Sequence, residues 1–237
     1  MEGYHVIATH PSGMPMFGSY YTQIDCWDDG ISHVNRLITP AMTPDAWVKS
    51  KVSSQTGLRL FCNTYGLRAP PPDHGATSQE ARAFAAEVLR ESIEAKCGVD
   101  FSDRSTAYLI DMVQWFMFPN FFPWWGEGLA WWYNFLPLGD NPGESVMEVR
   151  ATLPVPKNGP RPPSAKCTDL DFDDKGADHL ETGFPGLLLD EDMTNMEQMQ
   201  KGMRAACPDS AQAIISRYQE NRIRHFHETY AKYMEQD

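Results

Sequence analysis

The sequence predicts an α+β domain, on three observations. A helix with start and stop signals occupies residues 77–98, three aromatic and β-branched runs separated by Pro/Gly/Asp/Asn turns fill 112–156, and the C-terminal third returns to helical spacing. An antiparallel sheet with helices packed on one face accommodates all three. At 237 residues the chain is long enough to bury a substantial core, and 1–237 is read as one domain.

Residues 11–40 carry Gly, Pro and Asp punctuation, which gives loops followed by a strand around "HVNRLIT". In "TPDAW", Thr43 as N-cap and Pro44 at the first helical position predict a short helix near 44–55. Thr77 and Glu80 fit a capping box. Ala81, Phe84, Ala85, Val88, Leu89 and Ile93 then recur at helical spacing, and Gly98 suits the C′ position. "MVQWFMFPN", "LAWWYNFLPLG" and "SVMEVRATLPVP" read as an antiparallel meander. The polar, turn-rich stretch 157–179 reads as a surface loop. Met193, Met196 and Met203 mark a helical segment ended by Pro208. A longer helix is expected over about 209–234, with Ala211, Ile214, Ile215, Tyr218, Phe226, Tyr230 and Tyr233 on its apolar side.

Composition narrows the function. A formal net charge of −12 gives no electrostatic reason to hold nucleic acid or an anionic membrane, so neither is expected as a partner. "GLAWWYNFLPLG", the most apolar stretch, is far short of the roughly 20 residues that cross a bilayer, and the N-terminus lacks signal-peptide features. Five scattered cysteines without a C-x-x-C or C-x-H pair point to reduced thiols in a cytoplasm and exclude a cysteine-ligated cluster in this chain.

"MEGYHVIATHP" carries the chemistry. His5 and His10, five apart, point roughly 140° apart on a regular helix. Sharing a metal therefore requires a distorted turn, or His10 at a helix end, where Pro11 and Gly13 permit irregular backbone. Glu2, one helical turn before His5, is placed to accept a hydrogen bond from a ligand imidazole, or to serve as a plain N-terminal acid. A third ligand is offered by Asp190, Glu191 and Asp192, which follow an apolar run and precede a helix capped by Thr194 and Glu197. Acids also gather at helix starts for dipole reasons alone. Two histidines and one carboxylate leave open positions that suit non-haem Fe(II), and zinc hydrolases use the same ligand types.

Taken together, "EGYHVIATHP", "FPN" at 118–120 inside the aromatic strand, "DEDMTNMEQMQKG" and "HFHETY" resemble, in order and over nearly the whole chain, the catalytic domain of Rieske non-haem iron ring-hydroxylating oxygenase alpha subunits. The resemblance implies a helix-grip fold, a curved antiparallel sheet wrapped around a long C-terminal helix. It implies His5, His10 and Asp192 as ligands of a mononuclear Fe(II), and Glu2 as the acid passing electrons to it, where the family usually has Asp. Val6, Leu188 and Asn120 are pocket candidates by position. Implied partners are O₂, a hydrophobic or aromatic substrate, ferredoxin and reductase donors, and a homotrimer or an assembly with three small subunits.

The family's N-terminal Rieske motif is absent, so a [2Fe–2S] cluster is expected only in a missing domain or a partner. The chain is read as N-terminally truncated and inactive without that donor. Two rivals remain: a metal-free helix-grip module that binds a hydrophobic ligand, and a zinc hydrolase, which lacks any H-E-x-x-H signature.

Overall fold

A computed structural model describes residues 5, 9–12, 16–17, 22–27, 33–43, 52–127, 130–179, 183–206 and 214–235. Its centre is one six-stranded antiparallel sheet in simple sequence order: β1 (Gln23–Trp27), β2 (Val34–Thr39), β3 (Met112–Met117), β4 (Phe121–Trp125), β5 (Trp131–Pro137) and β6 (Ser145–Ala151). Side chains alternate across such a sheet. Asn35, Leu37 and Thr39 of β2 and Met112, Gln114 and Phe116 of β3 are all buried on the inner face. Among the described residues five helices complete the α+β architecture: α1 (Ser54–Thr64), α2 (Ser78–Cys97), α3 (Thr106–Ile110), α4 (Gly183–Ala205) and α5 (Asn221–Met234). None is long and apolar enough to cross a membrane.

The helical insertion α1–α3 lies between β2 and β3, which are nevertheless neighbours in the sheet. Its core is Leu58, Phe61 and Cys62 of α1 packed with Ala81, Phe84, Ala85, Val88 and Leu89 of α2. Each large apolar side chain buried there contributes roughly 1.5–3 kcal/mol. The expected capping box is present: Thr77 accepts from Glu80 N while the Glu80 carboxylate accepts from Thr77 N. Gly98 closes α2 in the left-handed region, at φ 63°. One ion pair locks this insertion to the sheet. Arg82 forks onto both oxygens of Asp111 at 2.6 and 2.9 Å, and also donates to Ala41 O, while Asp111 Oδ1 accepts from Ala41 N.

The C-terminal helix α5 lies against β1 and β2. Arg222 reaches through the inner face to Asn35 Oδ1 at 2.6 Å and Gln114 Oε1 at 2.7 Å. His225 bridges Asn35 and the Trp27 carbonyl, and Phe226 packs on Phe116 and Phe118.

Several expectations change. The helix near 44–55 falls mostly outside the described residues. The helix that is described starts at Ser54 behind the N-cap Ser53, whose hydroxyl accepts from Thr56 N, so it begins where the expected one ended. β1 and β4 are two further strands. β4 contains Pro123, a residue that argues against a strand interior and so hides it in the sequence. "FPN" is the turn between β3 and β4, with a cis Phe118–Pro119 bond, rather than part of a strand. The last helix spans only Asn221–Met234. Ile214, placed on its apolar face, is 94 % exposed, and Ala211 lies outside the described residues. The stretch 157–179 is the surface loop expected, with one 3-10 turn at Gly176–Asp178. Cys26, Cys62, Cys97 and Cys167 are thiols.

Candidate metal centre

The N-terminal motif is held from two sides. Phe17 bridges Ala41 and Met42 N donates to Met16 O at 2.8 Å, which anchors the following chain to the end of β2. On the other side, Asn195 of α4 donates to Thr9 Oγ1 at 2.6 Å. His5 and Thr9 have helical backbone, and His10 lies just past it, before a turn at Pro11–Ser12. His10 itself is not helical, so the 140° divergence of a regular helix does not apply to the pair. The two imidazoles meet edge to face with centroids 4.8 Å apart.

The three acids lie within α4 instead of ahead of it. The expected cap at Thr194 is a mid-helix residue, its hydroxyl donating to Asp190 O four residues back, and Glu197 pairs with Lys201. Consecutive helical residues point about 100° apart, so the three carboxylates serve three different neighbours. Asp190 turns to the surface loop and accepts from Gly176 N and Ala177 N at 2.7 and 2.9 Å. The approach is so close that a Cβ on Gly176 would stand 3.0 Å from Gly186 O, which is why a glycine sits there. Glu191 accepts from His10 Nδ1 at 3.0 Å and from Ser12 Oγ at 3.0 Å. Asp192 alone faces both histidines.

Its Oδ1 lies 3.0 Å from His5 Nε2 and 3.2 Å from His10 Nε2, and the two Nε2 atoms are 3.0 Å apart. Three potential donor atoms thus form a nearly equilateral triangle, a group able to hold a metal ion. An ion with bonds of about 2.1 Å needs donor separations of about 3.0 Å on one face of an octahedron and about 3.4 Å in a tetrahedron. The triangle fits the octahedral face, which leaves the opposite positions open.

Electrostatics reinforce the arrangement. A carboxylate only accepts, so the His10–Glu191 contact puts a proton on Nδ1 and aims the Nε2 lone pair at the triangle. Burial alone would lower the His10 pKa. The hydrogen bonds and charges of Asp192 and Glu191 outweigh it and raise the imidazole above its usual value. Burial pushes the Asp192 carboxyl up, but its hydrogen bonds to His10 and His5, and their charge, bring it down to about 2. Near neutral pH an Asp192 carboxylate therefore faces two imidazoles, an arrangement completed by a cation or by protons.

Leu188 is buried in the core, one turn before Asp192. Asn120 occupies the β3–β4 turn, where its amide donates to Phe135 O at 2.6 Å. Glu2 and Val6 lie outside the described residues. Sequence reasoning offered Asp190 and Glu191 only as alternatives to Asp192 and missed the separate contacts they make. The available signal was three adjacent acids on a helical segment, which by geometry face three directions and share no single role.

Residues 1–236 match the family described as ring hydroxylating alpha subunit, catalytic domain. No curated protein and no solved structure matches the chain.

Proposed function

Because the chain belongs to the ring-hydroxylating alpha-subunit catalytic-domain family, we propose that it binds one Fe(II) through His5, His10 and Asp192 and hydroxylates a hydrophobic, aromatic substrate. The observation that carries this reading is the 3.0–3.2 Å donor triangle, sized for one face of a six-coordinate ion. When bound, the iron supplies the activation of O₂ at positions the protein leaves open.

The chain's own residues have separable tasks. Asp192 sets the site's charge and orients both imidazoles. Glu191 fixes the His10 tautomer by accepting from Nδ1, and Ser12 in turn holds Glu191 by donating to it. Asn195 holds the histidine segment to α4 through Thr9, so that ligands 182 or more residues apart in sequence stay in register. Leu188, Val6 and Asn120 are the residues we assign to the substrate pocket. Glu2 relays electrons to the iron from a Rieske [2Fe–2S] cluster carried outside this chain, within a trimeric, cytoplasmic assembly fed by ferredoxin and reductase. We assign the sheet and the C-terminal helix to the helix-grip plan.

The test is electron paramagnetic resonance of the Fe(II)-loaded chain with nitric oxide, which reports an open iron position. We expect a high-spin adduct whose line shape changes when naphthalene is added. Tight 1:1 zinc binding with ester hydrolysis, and no nitric oxide adduct, would overturn the proposal in favour of a hydrolase.

A further inference from the structure

Two buried donors on the inner face of the sheet have no acceptor. The indole nitrogens of Trp124 and Trp131 are closed off from solvent and make no hydrogen bond. Trp131 is only 6 % exposed. The two rings are neighbours across β4 and β5, with centroids 6.1 Å apart. An indole N–H can only donate, and a buried donor left unpaired is destabilising. Two adjacent ones call for an acceptor from outside the chain.

The surroundings sharpen the point. Gln114, which pairs with Trp124 in the sheet, is met by Arg222 on its oxygen and by Tyr133 on its nitrogen. The chain thus satisfies polar groups in this row where it needs them for folding, and leaves the two indoles open. Trp131 belongs to the same apolar cluster as Leu188, one turn before Asp192, and Trp124 and Phe184 pack against that cluster. Among the described residues one further buried atom lacks a partner, Asn134 Oδ1; it is an acceptor, and strand alternation places it on the other face.

We propose that Trp124 and Trp131 are substrate-binding residues whose N–H groups donate to an oxygen acceptor on the aromatic substrate. The substrate class is then an oxygen-bearing aromatic, not a bare hydrocarbon. This rests on the oxygenase reading of the triad, because it takes the end of the apolar cluster that Trp131 shares with Leu188 as a wall of the substrate pocket.

The test uses the whole chain loaded anaerobically with Fe(II), titrated calorimetrically with two near-isosteric probes, 2-acetylnaphthalene and 2-isopropenylnaphthalene. The ketone should bind about tenfold tighter, the scale expected for paired buried hydrogen bonds. Trp124→Phe and Trp131→Phe should each cut that preference, read as the ratio of the two affinities, about three- to tenfold and leave iron content unchanged. In the unsubstituted chain, ¹⁵N-indole spectra should show two N–H resonances moving downfield with the ketone and not with the hydrocarbon. Equal binding of the probes, binding of neither, or a preference that survives both substitutions overturns the proposal. If iron content stays near one per chain in that case, the oxygenase reading stands. A ketone preference in a chain that takes up no iron would keep the indole donors and overturn the oxygenase reading instead.

Discussion

Two histidines in this molecule occupy contrasting surroundings. His225, under the C-terminal helix, sits in a chain of alternating donors and acceptors: the Trp27 carbonyl, His225, Asn35, Arg222, Gln114 and Tyr133. Each described link pairs a group with its complement. His10, at the other site, has one nitrogen satisfied by Glu191, while the other points at a carboxylate oxygen and a second imidazole nitrogen. Both histidines join segments more than 180 residues apart. The first network is complete within the protein and holds the fold. The second converges three basic atoms on one point and is complete only with a cation or protons. Incompleteness distinguishes the functional histidine from the structural one.

The contrast can be broken in descending order of effect. Arg222→Ala strands the side chains of Asn35 and Gln114 under α5. We expect a loss of about 3 kcal/mol in urea unfolding, with iron binding by the folded fraction unchanged. A concurrent loss of iron would erase the distinction between the two networks. Glu191→Gln should leave the fold intact and weaken Fe(II) binding about 10–100-fold, the scale set by outer hydrogen bonds to a ligand histidine. Wild-type affinity in that variant would remove Glu191 from the site.

Acidity separates the networks further. In the metal-free chain His10 is raised above 6.5, so its contribution to stability is present below about pH 6.5 and is lost as pH rises through the folded value. Asp192, lowered to about 2, contributes above about pH 4 and loses that contribution as pH falls toward 2. The metal-free corner is thus most stabilising between about pH 4 and 6.5. Iron must displace the His10 proton. Its affinity should therefore fall as pH drops through the raised imidazole value, by up to about tenfold per unit. Thermal melts from pH 5 to 8 with and without Fe(II) should show a metal-induced rise in Tm that grows with pH. A flat difference would mean that His10 is not a ligand.

The smallest effect is assigned to Asp190→Asn. Losing the charge on the Gly176 and Ala177 amides should cost about 1 kcal/mol and loosen the surface loop. Iron affinity should stay within about threefold. Together with Glu191→Gln, this ranks three adjacent acids by the direction each one points.

How much of this was legible in the sequence differs by element. The helix from Thr77 to Gly98 was readable because its signals are local: a capping box, a 3.6-residue apolar period and a C′ glycine. β4 was hidden by Pro123, and the C-terminal helix was overextended because Ile214 and Tyr218 continue its apolar period although both remain exposed. Hydrophobic spacing records what can be buried, while contact decides what is. For the triad, residue types and the family resemblance pointed to His5, His10 and Asp192. The position of the three acids within a helix, and hence the separate tasks of Asp190 and Glu191, required knowing where α4 begins. The unpaired indoles of Trp124 and Trp131 had no sequence signal, because an unmet hydrogen bond exists only in three dimensions.

The most direct measurement is iron content after anaerobic reconstitution of the parent chain, His5→Ala and Asp192→Ala, with circular dichroism to show that all three are folded. We expect about one iron per parent chain and almost none in either variant. A folded parent chain that takes up no iron, or variants that retain it, would contradict the assignment of the 3.0–3.2 Å triangle as the metal centre.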